Sequence, residues 1–219
     1  NLKDKIKPNS KNFKNIPIKE NFFSKTNQYL NIFYKEVLKN NYSIIEIHNR
    51  PEYLNYLLNK KINSKIIFIF HNNPKLLRGS KTIKERLNIL EKTHKILFVS
   101  KWSMNKFFEN LPIKSKSNCD ILYPSIKKPL NFNRSKKKQI IFTGKLNSSK
   151  GYDVFGIAAL KILKKFKNWN VIVAGNEPRE KFIFDHPRFK IYDWLPHNKI
   201  LNLYKNSSIA VVPSKWDEP

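Results

Sequence analysis

Short runs rich in β-branched and aromatic residues alternate along this chain with stretches whose apolar residues recur every three or four positions. The runs fall at 42–47, 65–70, 95–100, 119–122, 139–143, 169–175, 189–192 and 209–212. Helical spacing fills 26–38, 51–58, 82–91, 102–111, 152–166 and 198–204. Strands separated by amphipathic helices pair in parallel through crossover connections. The rhythm therefore predicts an α/β fold built on parallel, doubly wound sheets. It fails once, around Pro124, Pro129 and the run Lys136-Lys137-Lys138, where no apolar period survives. That stretch reads as a linker. The expected organisation is a first domain over residues 1–125, a linker over 126–138 and a second domain over 139–219. Residues 1–21 are polar, carry Pro8 and Pro17, and read as a loop or arm.

Glycine use singles out one unit of this pattern. Of only five glycines, Gly144, Gly151 and Gly156 fall within residues 139–166, and Gly175 ends the following strand. Glycine is costly in backbone entropy and is kept where a Cβ cannot be tolerated. The segment QIIFTGKLNSSKGYDVF reads as strand, loop and helix, with Phe155, Ala159, Ile162, Leu163 and Phe166 on one helical face. A helix start at the carboxyl end of a strand collects free amides and the positive end of the dipole, which favours an anion. Lys145 and Lys150 flank that loop. Two readings stand: a diphosphate site, or a plain βα unit with solvated lysines.

Two successive strands of the first domain end alike, in His48-Asn49-Arg50-Pro51 and His71-Asn72-Asn73-Pro74. Ligands of open α/β sheets bind at the carboxyl ends of strands. Polar groups repeated there suit a ligand site, and they equally suit strand-end caps.

These segments carry a resemblance. IEIHNRP, FHNNP followed by Arg78-Gly79, VSKW at 99–102, FTGKL followed by Lys150-Gly151, and VVPSKWDEP at the end occur in the order seen in retaining family-4 glycosyltransferases, also called glycosyl transferases group 1. The chain is similar to the members that build bacterial lipopolysaccharide and other surface polysaccharides. The resemblance implies two Rossmann-like domains facing each other, the GT-B arrangement, with the first strand of the N-terminal domain missing and the C-terminal domain incomplete. It implies transfer of a sugar from a nucleoside-diphosphate sugar to a saccharide or lipid-linked acceptor, with retention, no cofactor and no obligatory metal. Gly144, Lys145, Lys150 and Gly151 would hold the donor diphosphate. His71 would lie near the reaction centre, with His48, Asn49, Arg50 and Asn72 on the acceptor side. Glu218 would be the first glutamate of the family's E-x7-E pair and hydrogen-bond the donor sugar. The family's next Phe-Gly and second glutamate would follow Pro219, so the chain is expected to be a fragment lacking both ends.

Composition limits the alternatives. The formal net charge is +27, yet lysine is over-used throughout rather than on one element, which reads as a compositional habit. A basic nucleic-acid-binding protein is the alternative class, and an inactive half-enzyme is a third. Cys119 is the single cysteine, which excludes a disulfide framework and a thiolate metal site. The longest apolar run, 66–70, is far short of a membrane span. A cytoplasmic setting is expected, with peripheral contact to the anionic inner face of the cell membrane allowed by the charge and no specific nucleic acid.

Overall fold

The computed structural model describes residues 24–126 and 135–216. They form two compact units that part between Pro124 and Ser125. The expected arm at 1–21 and most of the expected linker lie outside the described residues.

The first unit opens with α1 (Lys25–Asn40), then β1 (Ile44–His48), α2 (Pro51–Leu58), β2 (Lys65–Phe70), α3 (Ile83–Lys92), β3 (Lys95–Phe98), α4 (Lys101–Phe108) and β4 (Cys119–Ile121). The strands pair in parallel in the order β1-β2-β3-β4. Burial explains their composition. β2 is paired on both sides and its residues Ile66, Phe68, Ile69 and Phe70 are all buried. β1 is paired on one side among the described strands and alternates, burying Ile45 and Ile47 while Ile44, Glu46 and His48 stay exposed. Phe68, Phe70, Phe98 and Phe107, all essentially inaccessible, stack edge to face or offset at the centre of this core.

Helix starts are set by side chains. Thr82 accepts from the Glu85 amide while Glu85 accepts from the Thr82 amide, a reciprocal cap for α3. Ser100 and Ser103 do the same for α4. Arg86, only 1% exposed, ties these elements together by donating to the carbonyls of Lys81 and Glu109, each at 2.9 Å.

The second unit contains β5 (Lys137–Thr143), α5 (Tyr152–Lys165), β6 (Asn170–Ala174), β7 (Phe189–Tyr192), α6 (His197–Asn206) and β8 (Ser207–Ala210). Its sheet is parallel with the order β7-β6-β5-β8. The chain thus steps outward from β5 to β7, then returns to place β8 on the other flank of β5. The winding reverses between β5 and β8, and ligands of open α/β sheets bind at the carboxyl ends of strands at such a switch point. Tyr152, Phe155, Gly156, Ala159 and Leu163 form the buried face of α5, as the spacing predicts. The last strand is displaced from expectation. The apolar run 209–212 suggests its limits, but pairing with Lys137 starts it at Ser207, and Val212 is 82% exposed.

Candidate functional site

The carboxyl ends of β5 and β8 bring together segments far apart in sequence. β5 ends at Thr143, and exposed Gly144 and Lys145 follow. Asn147 then folds the loop: its Oδ1 accepts from the Lys150 amide at 3.0 Å and from Ser149 Oγ at 3.0 Å. This closes a 3-10 turn over Ser148–Lys150, and Gly151, at φ 70°, passes the chain into α5. The segment after β8 docks on this turn. The amides of Lys215 and Trp216 both donate to the Ser149 carbonyl, at 2.9 and 3.2 Å. Lys215 Nζ pairs with Asp153 Oδ2 at 2.7 Å in the first turn of α5. A Cβ on Gly151 would collide with the Pro213 carbonyl, and the left-handed backbone there disfavours any other residue. The FTGKL…KG and PSKW segments are therefore one structural unit.

The loop takes up part of the hydrogen-bonding capacity around the helix start. Three amides leading into α5 are engaged: Lys150 N–H on Asn147, Gly151 N–H on the Ser148 carbonyl, and Tyr152 N–H on the Asn147 carbonyl. The Ser148 amide donates to Glu180 Oε2 at 2.9 Å. The cause is the 3-10 turn, which satisfies the three amides leading into α5 internally. Lys145 also has an acidic neighbour. Glu177, only 7% exposed, receives two hydrogen bonds from Arg179, at 2.7 and 2.8 Å. Those bonds hold its carboxyl down at about 2, and the nearby Lys145 charge acts in the same direction. Asn147, Glu177, Glu180 and Lys215 were not singled out from sequence. Asn147 alone carried a signal, as a polar cap shortly before a lysine and glycine. Glu218 lies outside the described residues.

In the first unit, the two His-Asn segments meet at the carboxyl ends of β1 and β2. His48 Nδ1 lies 2.8 Å from His71 Nε2, with the rings stacked at 5.1 Å. His48 Nε2 lies 2.5 Å from Glu46 Oε1. Asn49, at φ 53°, turns its Oδ1 to accept from the His71 amide at 3.2 Å. Burial lowers the His71 pKa, and the neighbouring His48 charge lowers it further. Arg50 is exposed and, with Glu46, His48, Tyr29, Phe33 and Tyr53, lines a cavity of about 190 Å³. Asn72 is exposed and follows His71 directly in the chain. Asn73 is structural, accepting from the Lys75 amide at 3.1 Å to start a 3-10 turn. Arg78 and Gly79 latch that loop to α2: Arg78 pairs with Glu52 at 3.2 Å, and the Gly79 carbonyl accepts from Asn55 at 2.8 Å. Among the described residues no group of three or more His, Cys, Asp or Glu could hold a metal ion.

Residues 125–219 match the family model described as "Glycosyl transferases group 1". This part of the chain is similar to the group 1 glycosyl transferases. The Bacillus subtilis (strain 168) protein named "Putative glycosyltransferase YtcC" is 24% identical over 84% of this chain and 53% of its own length. The chain thus spans about half of that relative. Two solved structures show the fold. A point mutant of Staphylococcus aureus TarM, crystallised with fondaparinux, alpha-GlcNAc-glycerol and UDP, matches with a TM-score of 0.64 at 13% identity, over 85% of this chain and 40% of its own. Anabaena Alr3699/HepE with UDP-glucose matches with a TM-score of 0.63 at 12% identity, over 85% of this chain and 57% of its own. The α/β architecture is that of GT-B glycosyltransferases, of which this chain covers a part.

Proposed function

We propose that the protein transfers a glycosyl group from a nucleoside-diphosphate sugar to a saccharide or lipid-linked acceptor. The observation that carries this reading is the docking of the segment after β8 onto the Asn147–Gly151 turn, at the switch point of the sheet and within the residues that match the group 1 glycosyl transferases. Lys145 and Lys150 flank that turn, and cations there stabilise charge on a departing diphosphate. Engagement of the Lys150, Gly151 and Tyr152 amides within the turn leaves more of this task to the lysine side chains. Relatives of the same fold, crystallised with UDP and with UDP-glucose, support a nucleotide-sugar donor. Glu218 would hydrogen-bond the donor sugar, since a carboxylate accepts two hydroxyl hydrogens. Transfer would proceed with retention and without an obligatory metal, the diphosphate charge being met by lysine. His71, with His48, Asn49, Arg50 and Asn72 near it, would serve the acceptor side. Lipopolysaccharide or another surface polysaccharide is the proposed product, and the basic surface favours peripheral docking on an anionic membrane face.

Calorimetric titration with a panel of nucleoside diphosphates tests the donor site. One of them is expected to bind, with Lys150→Ala weakening it about tenfold, in line with a lost charge-assisted contact. Lys145→Ala should weaken it less, because Glu177 already offsets that charge. Absence of binding to every member of the panel, or equal binding by Lys150→Ala, would overturn the reading.

A further inference from the structure

Glu46, His48 and His71 form a continuous chain of polar contacts, carboxylate to imidazole to imidazole. The spacing that builds it is that of a strand. Glu46 and His48 are two residues apart on the exposed face of β1, so their side chains lie side by side. His48 is in register with Ile69 of β2, and His71 follows two residues later. The Asn49 amide donates to the Ile69 carbonyl at 2.9 Å, and the Asn49 side chain fixes the His71 backbone. The two rings are thereby held at strand ends rather than on a mobile loop.

The chemistry of the three groups fixes where the protons sit. A carboxylate has only acceptors, so the His48 nitrogen facing Glu46 must carry the hydrogen. In a neutral ring the other nitrogen, Nδ1, is then an acceptor. Its partner is Nε2 of His71 at 2.8 Å, which must therefore be the donor. That leaves Nδ1 of His71 as a bare acceptor at the end of the chain.

We propose that Glu46, through His48, is a positioning residue that locks His71 in the tautomer whose Nδ1 accepts a hydrogen bond from a saccharide hydroxyl. The inference rests on the reading of His71 as a group of the saccharide site. It goes beyond that reading in assigning the directionality to a carboxylate one strand away. A carboxylate that fixes the tautomer of a histidine is the logic of hydrolase triads, here extended by one imidazole. Without Glu46, His71 can take either tautomer and offers a donor as readily as an acceptor.

The test is a long-range proton–nitrogen correlation spectrum of the whole chain labelled with [15N]histidine, above the titration range of its imidazoles. His48→Gln and His71→Gln assign the two rings among the five histidines. Both rings are expected at the nitrogen shifts of the pure Nε2–H form. In Glu46→Ala both should move toward the two-tautomer average of a free imidazole. Glu46→Gln, whose amide oxygen still accepts, should keep the wild-type shifts. His48 in the Nδ1–H form in the wild type, or shifts unchanged in Glu46→Ala, would overturn the proposal. With a working donor and acceptor, kcat/KM of Glu46→Ala should fall about tenfold, one hydrogen bond's worth, and Glu46→Gln should recover most of it. Turnover unchanged in Glu46→Ala would also overturn it. The shifts are read without substrate, so a wild type that transfers no sugar sinks the saccharide reading while the tautomer result stands separately.

Discussion

Tyr152 is 1% exposed, packed among Phe142, Phe155, Phe182 and Phe184, and its hydroxyl has no hydrogen-bond partner among the described residues. Burial pushes its pKa up to about 12. A buried hydroxyl without a partner carries an uncompensated desolvation cost, so Tyr152→Phe should leave stability unchanged or raise it by up to about 1 kcal/mol. Urea unfolding checks this; a loss above that size would mean the hydroxyl is bonded. His71 gives a second residue-scale outcome. Its pKa is lowered by burial first and by His48 second, so His48→Gln should raise its midpoint part of the way toward the ordinary histidine value. The sign for stability follows. The unfolded chain takes up the proton at higher pH than the folded one, so this group costs stability as pH falls through the unfolded value of about 6.5. Following the His71 ring by NMR titration in both proteins decides it: a midpoint that stays put in His48→Gln removes the coupling. Glu46 shows what sequence reading missed at this scale. The His-Asn repeat drew attention to the strand ends, while the period-2 neighbour on the same face was available in the pattern IEIH and passed over.

At the scale of elements, Glu109 joins the loop after β2 to α4. Its carboxyl accepts from Lys75 at 2.8 Å and from Lys106 at 3.0 Å, and these bonds, Lys75 first, hold its pKa at about 2. A depressed carboxylate contributes stability in full above its unfolded value of 4.5 and loses it as pH falls toward about 2. Glu109→Gln should therefore lower stability near pH 7 and flatten the loss between those limits, measured by denaturant unfolding at a series of pH values. An unchanged pH profile would show the bridge to be idle. The strands and helices were largely legible because their burial matches their periodicity: β2 and α2 begin and end where the apolar pattern does. β8 was less legible because its start is set by pairing with β5, which has a register shift between Lys137 and Ile140, and not by its own apolar content. The segment from β5 to α5 was legible as strand, loop and helix. The engagement of the Lys150, Gly151 and Tyr152 amides was not legible, because the 3-10 turn that takes them up depends on Asn147, and nothing in the glycine pattern announces it.

For the whole molecule, the open quantity is the charge of +27. Lysines occur on α1, α3, α5 and α6 alike, which is the distribution expected of composition rather than of a single binding face. No helix among the described residues is long and apolar enough to cross a membrane. A spread positive surface still attracts an anionic bilayer, at about 1 kcal/mol for each lysine close to it, within a Debye length of about 8 Å at physiological salt. Sedimentation with vesicles separates the two meanings of the charge. Binding is expected to phosphatidylglycerol vesicles, absent on neutral phosphatidylcholine, weakening as salt rises and unaffected by a saturating nucleoside diphosphate. That independence is the decisive feature, because the donor turn and the bilayer would then draw on different lysines. No binding at low salt would remove the membrane reading. Displacement of the protein from vesicles by the nucleotide would mean that Lys145 and Lys150 serve the lipid surface, and the donor assignment would have to be rebuilt on other residues.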